Sequence, residues 1–203
     1  MKPTRVYCDI DIRDHLRKIF PGNRKSFALD VGYHEGETYP DGTSVAEVAF
    51  IQEYGAVIEH PGGTKYIKDA VTSRMVLDPE TGRRKRVYSV GVRFVANNFS
   101  GDSFITGPHQ IVIPARPFFS KAFEINKRKW IANFESYLVS SGYDLERAFK
   151  LLGAVVRSDI INQIDVTTEP PNAPSTLRQK KGSHPLIDTH RMRNSIKWQV
   201  TTL

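Results

Sequence analysis

The chain has 203 residues, of which 39% are hydrophobic and 25% are charged, and its mean hydropathy is −0.39. These values exclude a membrane protein, which needs about 20 consecutive apolar residues for each helical span, and a wholly disordered chain, which lacks the apolar side chains for a core. The length fits a single domain over residues 1–203. The single cysteine, Cys8, excludes an internal disulfide and a cysteine-based zinc site, so we expect folding in a reducing cytoplasm. The first twenty residues lack a continuous apolar run, and we expect no signal peptide.

Basic residues are concentrated in two places. The chain has 29 Lys plus Arg and 22 Asp plus Glu, which gives a net charge of +7. Residues 170–203 contain six basic side chains and one acidic side chain, and four consecutive basic residues follow Gly82: Arg83, Arg84, Lys85 and Arg86. Such a cluster is a solvated loop, or it contacts phosphate or an acidic protein surface. The DNA interpretation is the weaker one, because no aromatic base-stacking pattern accompanies the cluster.

The first quarter of the chain predicts three short elements. Residues 9–19 have apolar side chains at helical spacing, and residues 26–33 alternate as a strand does. Residues 44–47 (SVAE) form a capping box, which predicts a helix from there to about Tyr54. Gly55 is the expected left-handed stop of that helix.

Residues 57–112 predict a β-rich insertion or arm. Residues 73–77 and 85–94 indicate a long hairpin around a charged tip at residues 78–82. The segment is too long for a loop and too poor in helix-forming residues for a helix. We therefore expect sheet with a protruding hairpin.

Two long helices follow a rigid corner at residues 114–117 (PARP). Apolar side chains at steps of three and four predict helices over about 117–138 and 143–164, and the short turn at Ser141 and Gly142 makes them antiparallel. An extended Pro-rich segment at about 167–187 and a final strand at 196–200 complete the chain. The predicted fold class is α+β, with a mainly antiparallel sheet packed by the two helices.

The chain lacks the short motifs that carry common chemistries. A phosphate-cradling Gly-x4-Gly-Lys loop, a Gly-x-Ser-x-Gly elbow and a His-Glu-x-x-His helix are all missing. One group of side chains has the residue types of metal ligands: Asp9, Asp11, Asp14 and His15. Acidic residues in the first turn of a helix are also what the helix dipole favours, and we prefer that interpretation.

Three segments resemble, in order and spacing, the virion-morphogenesis proteins of tailed bacteriophages, also called tail-completion or neck proteins. They are residues 46–55 (AEVAFIQEYG), residues 113–119 (IPARPFF), and the ending formed by 171–177 (PNAPSTL) with 184–196 (HPLIDTHRMRNSI). That family usually has Gly after the Asp-Thr pair of the ending, where this chain has His190. A positive φ is harder for His than for Gly, so the local turn is expected to differ.

The resemblance implies a non-enzymatic structural protein of the phage head–tail junction. Such a protein completes or terminates the tail and joins it to the head connector as a homo-oligomeric ring, most often six-fold. Its partners would be the head connector or adaptor proteins and the tail tube or tail terminator protein, with DNA as an incidental contact only and no membrane partner. It would be assembled in the host bacterial cytoplasm and located in the virion neck or tail. The same resemblance implies no catalytic, cofactor or metal site.

Arginines of the corner and the ending are the candidate contact residues. Arg116 lies between two prolines, where a guanidinium can hold a carboxylate bidentately, and Arg191 follows Asp188. An intersubunit contact and an internal ion pair of Arg116 or Arg191 with Asp188 are equally good interpretations. The basic cluster at 83–86 and the insertion suit an arm that reaches a neighbouring subunit or the tail tube.

Two competing functions remain. A basic nucleic-acid-binding protein would use the cluster at 83–86 and the basic ending, with DNA contact as its main role. A metal-dependent hydrolase would use Asp9, Asp11 and His15, and it is the weakest hypothesis.

Overall fold

The computed structural model describes residues 27–180 and 182–202. The predicted helix at 9–19, Cys8 and the acidic residues near it lie outside these ranges. The chain forms two compact units, one spanning Val57–Val112 and the other the residues up to Ala56 together with those from Ile113 onward. We call the second of these the core unit and Val57–Val112 the strand unit.

The described elements follow one another along the chain as β1 (Phe27–Tyr33), α1 (Val45–Tyr54), β2 (Ala56–His60), β3 (Lys65–Leu77), β4 (Arg84–Phe94), β5 (Phe104–Ile105), β6 (His109–Ile113), α2 (Phe118–Ser140), α3 (Leu145–Val166), α4 (Pro174–Gln179), α5 (Arg191–Asn194) and β7 (Ile196–Thr202).

The core unit is built on the antiparallel pair of α2 and α3. Asp144 caps α3 by accepting a hydrogen bond from the Arg147 amide at 3.0 Å, which satisfies one of the free N–H groups at the helix start. The apolar side chains that predicted α3 line its inner face, and all of them are buried: Leu145, Phe149, Leu152, Val156, Ile160 and Ile164. A continuous stripe of this kind stabilises a helix through packing more than through its intrinsic propensity.

The helix pair packs on a two-stranded antiparallel sheet of β1 and β7. The register runs from Phe27 opposite Thr202 to Tyr33 opposite Ile196. The helix α3 approaches this sheet closely at Gly153, where a Cβ atom would come within 2.8 Å of the Trp198 ring. The chain therefore joins its first described strand to its last, and the core lies between this sheet and the helices.

The strand unit contains two further small sheets. The strands β3 and β4 pair antiparallel as a long hairpin, and β5 pairs antiparallel with β3 on its other edge. The second sheet consists of β2 and β6. Among the described side chains of this unit, Ala70 is the only buried apolar one.

The predicted α+β class is confirmed, with antiparallel strands and two long packed helices. The strands form three small sheets instead of one, and the piece expected at 73–77 is the end of a longer strand, β3. Within the segment expected to be extended at about 167–187, Pro174–Gln179 form the short helix α4, and the fixed φ of Pro174 suits a first helical position. No described helix combines the length and the apolar content that crossing a membrane requires.

Candidate functional site

The predicted basic cluster lies at the tip of the hairpin. Arg83, Arg84, Lys85 and Arg86 are all exposed. The tip is closed by the Asp78 amide donating to the Arg83 carbonyl at 2.8 Å, and the Lys85 Nζ lies 3.1 Å from Asp78 Oδ2. The pKa of Asp78 is lowered, first by Lys85 and then by the Glu80 amide. These contacts fix the conformation of the turn at the tip, and its arginines are exposed to solvent.

One face of the hairpin is apolar. The register places Val71 opposite Val90, Ser73 opposite Tyr88, Met75 opposite Arg86 and Leu77 opposite Arg84, and directly opposed residues share a face. We call this surface the apolar face and define it by five large side chains, each between 54% and 66% exposed: Val71, Met75, Leu77, Tyr88 and Val90. Arg84 and Arg86 lie at its tip end. Lys85, Ser89 and Gly91 occupy the opposite face of β4.

Arg116 does not present its guanidinium to solvent. Its side chain is only 3% exposed, and it donates from Nε to the Pro170 carbonyl at 2.7 Å and from Nη2 to the Pro171 carbonyl at 3.1 Å. Nη1 donates to Gln52 Oε1 at 2.7 Å. Burial lowers the pKa of Arg116. The guanidinium fastens the Pro-rich segment to the corner and to α1, and within the described chain its partners are carbonyl and amide oxygens in place of the predicted Asp188.

Glu53 is the key residue that the sequence alone does not reveal. Its carboxylate is 1% exposed and accepts hydrogen bonds from the Phe119 amide at 2.8 Å and the Ser120 amide at 2.9 Å. The Ser120 hydroxyl donates to Oε1 at 2.6 Å. An acceptor with negative charge at the start of α2 satisfies free amides and complements the helix dipole. A residue of α1 therefore supplies the N-terminal cap of α2, where Pro117 offers no side-chain cap.

Residues 46–55 and 113–119, the first two segments of the family resemblance, contact each other, and we call this contact the joint. The Arg116 amide donates to the Gln52 carbonyl at 2.7 Å, and Gly55, with φ of 77°, ends α1 beside the corner. A Cβ at Gly55 would lie 2.8 Å from the Ile113 carbonyl oxygen and 3.0 Å from the Ala115 nitrogen. The backbone approach thus requires Gly at 55, and the joint explains the residue types at 52, 53, 55 and 116 together.

The predicted pairing of Asp188 with an arginine is replaced by another ion pair. Asp188 and Arg191 are exposed. The bidentate pair in this part of the chain joins Arg193 to Asp165 of α3, with Nε–Oδ1 at 2.6 Å and Nη2–Oδ2 at 2.7 Å. Arg193 lowers the pKa of Asp165. The ending is therefore fastened to the end of α3 by Arg193, two positions beyond the predicted Arg191.

His190 adopts the left-handed conformation, with φ of 61° and ψ of 4°. The positive φ that is harder for His than for Gly is therefore present at this position. The pKa of the nearby Glu37 is lowered, first by the Lys197 ammonium at 2.6 Å and only weakly by the charge of Arg191. Burial raises the pKa of Tyr39, and the charge of Arg191 opposes that shift.

The outer side of α1 carries exposed aromatic and acidic side chains. Glu47, Phe50 and Tyr54 are spaced on one side of the helix and are exposed, and the Phe50 and Tyr54 rings lie 4.8 Å apart. We call these three residues the α1 face. Residues 27–56 contain six acidic side chains and neither Lys nor Arg. Four of the six are exposed, namely Asp30, Glu35, Asp41 and Glu47, whereas Glu53 is buried and Glu37 binds the Lys197 ammonium at 2.6 Å.

Within residues 27–180 and 182–202, no group of three or more His, Cys, Asp or Glu side chains is placed to hold a metal ion. Asp9, Asp11, Asp14 and His15 lie outside those ranges. No protein-family model matches the chain, and searches of curated proteins and of solved structures return no similar protein. The resemblance to the neck proteins is therefore carried by the three motifs of the sequence.

Proposed function

We propose that this chain is a structural, non-enzymatic subunit of the head–tail junction of a tailed bacteriophage. It completes or terminates the tail and joins it to the head connector, as one subunit of a six-fold ring. Its partners are further copies of itself, the head connector or adaptor proteins, and the tail tube or tail terminator protein. It is assembled in the bacterial cytoplasm and remains in the neck or tail of the virion.

The observation that carries this proposal is the joint between the first two motifs. The family resemblance rests on residues 46–55 and 113–119, which are far apart in the sequence. In the structure they share the Glu53 cap, the Arg116 contacts and the close approach at Gly55. Residue types that match a family pattern at distant places, and that contact one another, are better explained by a shared fold than by coincidence.

The strand unit supports a role in contact between proteins. Its large apolar side chains lie on the surface, and an exposed apolar patch of several neighbouring side chains marks an interaction site. A ring subunit needs such surfaces, and many weak contacts linked in a ring gain avidity through effective concentration.

Electron microscopy and light scattering of the purified chain test the proposal. We expect ring particles with a mass about six times the 23.0 kDa of one chain, at least at high protein concentration. A gold-labelled tag on the protein should mark the neck or tail end of virions. Particles without label, together with a monomer at every concentration, would refute the assignment.

The exposed arginines favour nucleic-acid binding as the second candidate. A protein that uses them for DNA should bind a duplex with an affinity that falls steeply with salt, by about 0.9 log units per log unit of salt for each phosphate neutralised. Serine at positions 83–86 should then abolish binding, whereas Lys127→Ser with Arg128→Ser on α2 should not. The neck assignment expects weak binding that both variants reduce alike.

A further inference from the structure

The apolar face of the hairpin has the composition of an interface, and its large side chains are exposed among the residues that the structure describes. Its five large side chains are more than half exposed, and Val92 and Phe94 continue the same alternation along β4 at 49% each. Monomeric proteins rarely keep so many neighbouring apolar side chains in water. A partner for this face must offer apolar contact along most of its length.

The positive charge of the hairpin indicates which kind of surface can bind its apolar face. Arg84 and Arg86 share this face with the apolar residues, and the hairpin residues 71–94 contain six basic and two acidic side chains. The partner surface should therefore combine aromatic or aliphatic side chains with carboxylates. Nucleic acid would use the arginines but would leave Val71, Met75 and Val90 in water.

The chain itself carries a surface of that description on its core unit. The α1 face has an aromatic pair, Phe50 at 38% and Tyr54 at 58% exposure, with the exposed carboxylate of Glu47 one turn before them. Asp30, Glu35 and Asp41 add exposed carboxylates in the same acidic segment. Arginine also stacks well on aromatic rings, which an Arg–Tyr or Arg–Phe contact would use.

We propose that the apolar face of the hairpin docks on the α1 face of a second copy of this chain, with Arg84 and Arg86 against its carboxylates. The two surfaces differ, so the contact is heterologous: each copy gives a hairpin and receives one. Such contacts close into a ring when the rotation between copies permits it. The inference rests on the proposed function, because it names the contact that holds the ring together.

Cysteine cross-linking between two different variants tests the contact directly. In a Cys8→Ser background, one protein carries Tyr88→Cys and the other Phe50→Cys, and the mixture is oxidised mildly. We expect a disulfide-linked product of two chains. Ser89→Cys, on the opposite face of the same strand, is the matched control and should give at least about tenfold less product, since its side chain points away from the contact. Equal yields from Tyr88→Cys and Ser89→Cys would overturn the proposal.

Charge reversal gives an independent readout. Arg84→Glu with Arg86→Glu should weaken self-association by about tenfold or more, measured by light scattering across concentrations. Mixing that protein with a Glu47→Arg partner should restore association. Both variants change exposed side chains, and unchanged circular dichroism would establish that each is folded. Self-association that neither variant alters would contradict the docking.

The outcomes separate this contact from the neck assignment. Rings without the Tyr88–Phe50 cross-link would leave the proposed function standing and refute the docking. The cross-link without label on virions would support the docking and refute the neck assignment. Loss of DNA binding in the Arg84 and Arg86 variant, with self-association unchanged, would favour nucleic acid as the partner of the hairpin and refute the docking.

Discussion

The core unit buries its large apolar side chains, whereas the strand unit leaves most of its own exposed. The core unit buries an entire cluster that includes Trp130, Phe134 and Ile160, whereas among the described side chains of the strand unit only Ala70 is buried. A two- or three-stranded ribbon has no second layer to cover its faces, so burial requires another element or another molecule. The difference teaches that the core unit can be stabilised by its own apolar contacts, whereas the strand unit leaves its apolar side chains exposed for the docking that we propose.

Truncation of one large side chain in each unit gives the sharpest test of this contrast. Trp130 is 1% exposed and donates from Nε1 to Asp159 Oδ2 at 2.7 Å, so Trp130→Ala should cost about 3–5 kcal/mol of unfolding free energy. Tyr88→Ala on the hairpin should change it by less than about 0.5 kcal/mol. Urea denaturation measures both. Comparable losses would mean that the hairpin face is buried in the isolated chain.

The second largest loss of unfolding free energy is expected from removal of the buried cap at Glu53. Glu53→Ala removes the acceptor of two amides and a hydroxyl at the start of α2, and each unsatisfied buried group costs about 1–3 kcal/mol. Partial access of water to Ser120 reduces the sum, and we expect a loss of about 2–4 kcal/mol. Glu124→Ala, at an exposed position within α2, is the control and should have little effect. Thermal and urea unfolding of the two variants decide whether Glu53 stabilises the joint.

Arg116 tests whether the joint depends on guanidinium geometry. Arg116→Lys keeps the charge but loses the fork that reaches both proline carbonyls and Gln52, so we expect a loss of about 2–3 kcal/mol. Arg84→Lys, on the hairpin, should leave stability unchanged. Faster hydrogen exchange in residues 170–180 of the Arg116 variant would localise the effect to the Pro-rich segment. Exchange rates equal to those of the wild type would show that other contacts hold this segment.

The ion pair of Asp165 with Arg193 predicts a pH dependence. Because Arg193 lowers the pKa of Asp165 below its ordinary 3.8, the ionised carboxylate stabilises the folded state above that pH. The contribution is lost as the pH falls through the lowered pKa. Wild type should therefore exceed Asp165→Asn in stability at neutral pH, and the difference should shrink below about pH 4. Glu146→Gln is the control, because its pair with Lys150 is 54% exposed on both sides and an exposed pair adds little.

The smallest effect is expected at His190. A non-glycine residue in the left-handed region costs about 1–2 kcal/mol, and Gly loses about 0.5–1 kcal/mol more on ordering. His190→Gly should therefore stabilise the chain by up to about 1 kcal/mol. Asn194→Gly, in the helical turn just after it, should destabilise instead. A melting temperature lowered by His190→Gly would show that the imidazole makes a contact that outweighs the strain.

Local sequence patterns predicted the ends of α1, the buried face of α3 and the strand β4. The capping residue Ser44 and the stop at Gly55 bound α1 at the expected positions, although Gly55, with φ of 77° and ψ of 171°, does not adopt the left-handed helical conformation that was expected. The predicted stripe of α3 is buried along its whole length. The alternation of residues 85–94 predicted β4, whose register sets Tyr88 and Val90 on one face. These features follow from the sequence because capping, helical periodicity and strand alternation depend on neighbours within a few residues.

Tertiary structure alone decided the partners of the charged residues. Glu53 accepts from amides more than 60 residues away, and Arg116 reaches carbonyls more than 50 residues away. The sequence suggested Asp188 for the arginines, but Arg193 pairs with Asp165 because the end of α3 lies beside α5. A long polar side chain is bound by whichever groups the packing brings within about 3 Å, and no local pattern encodes that choice.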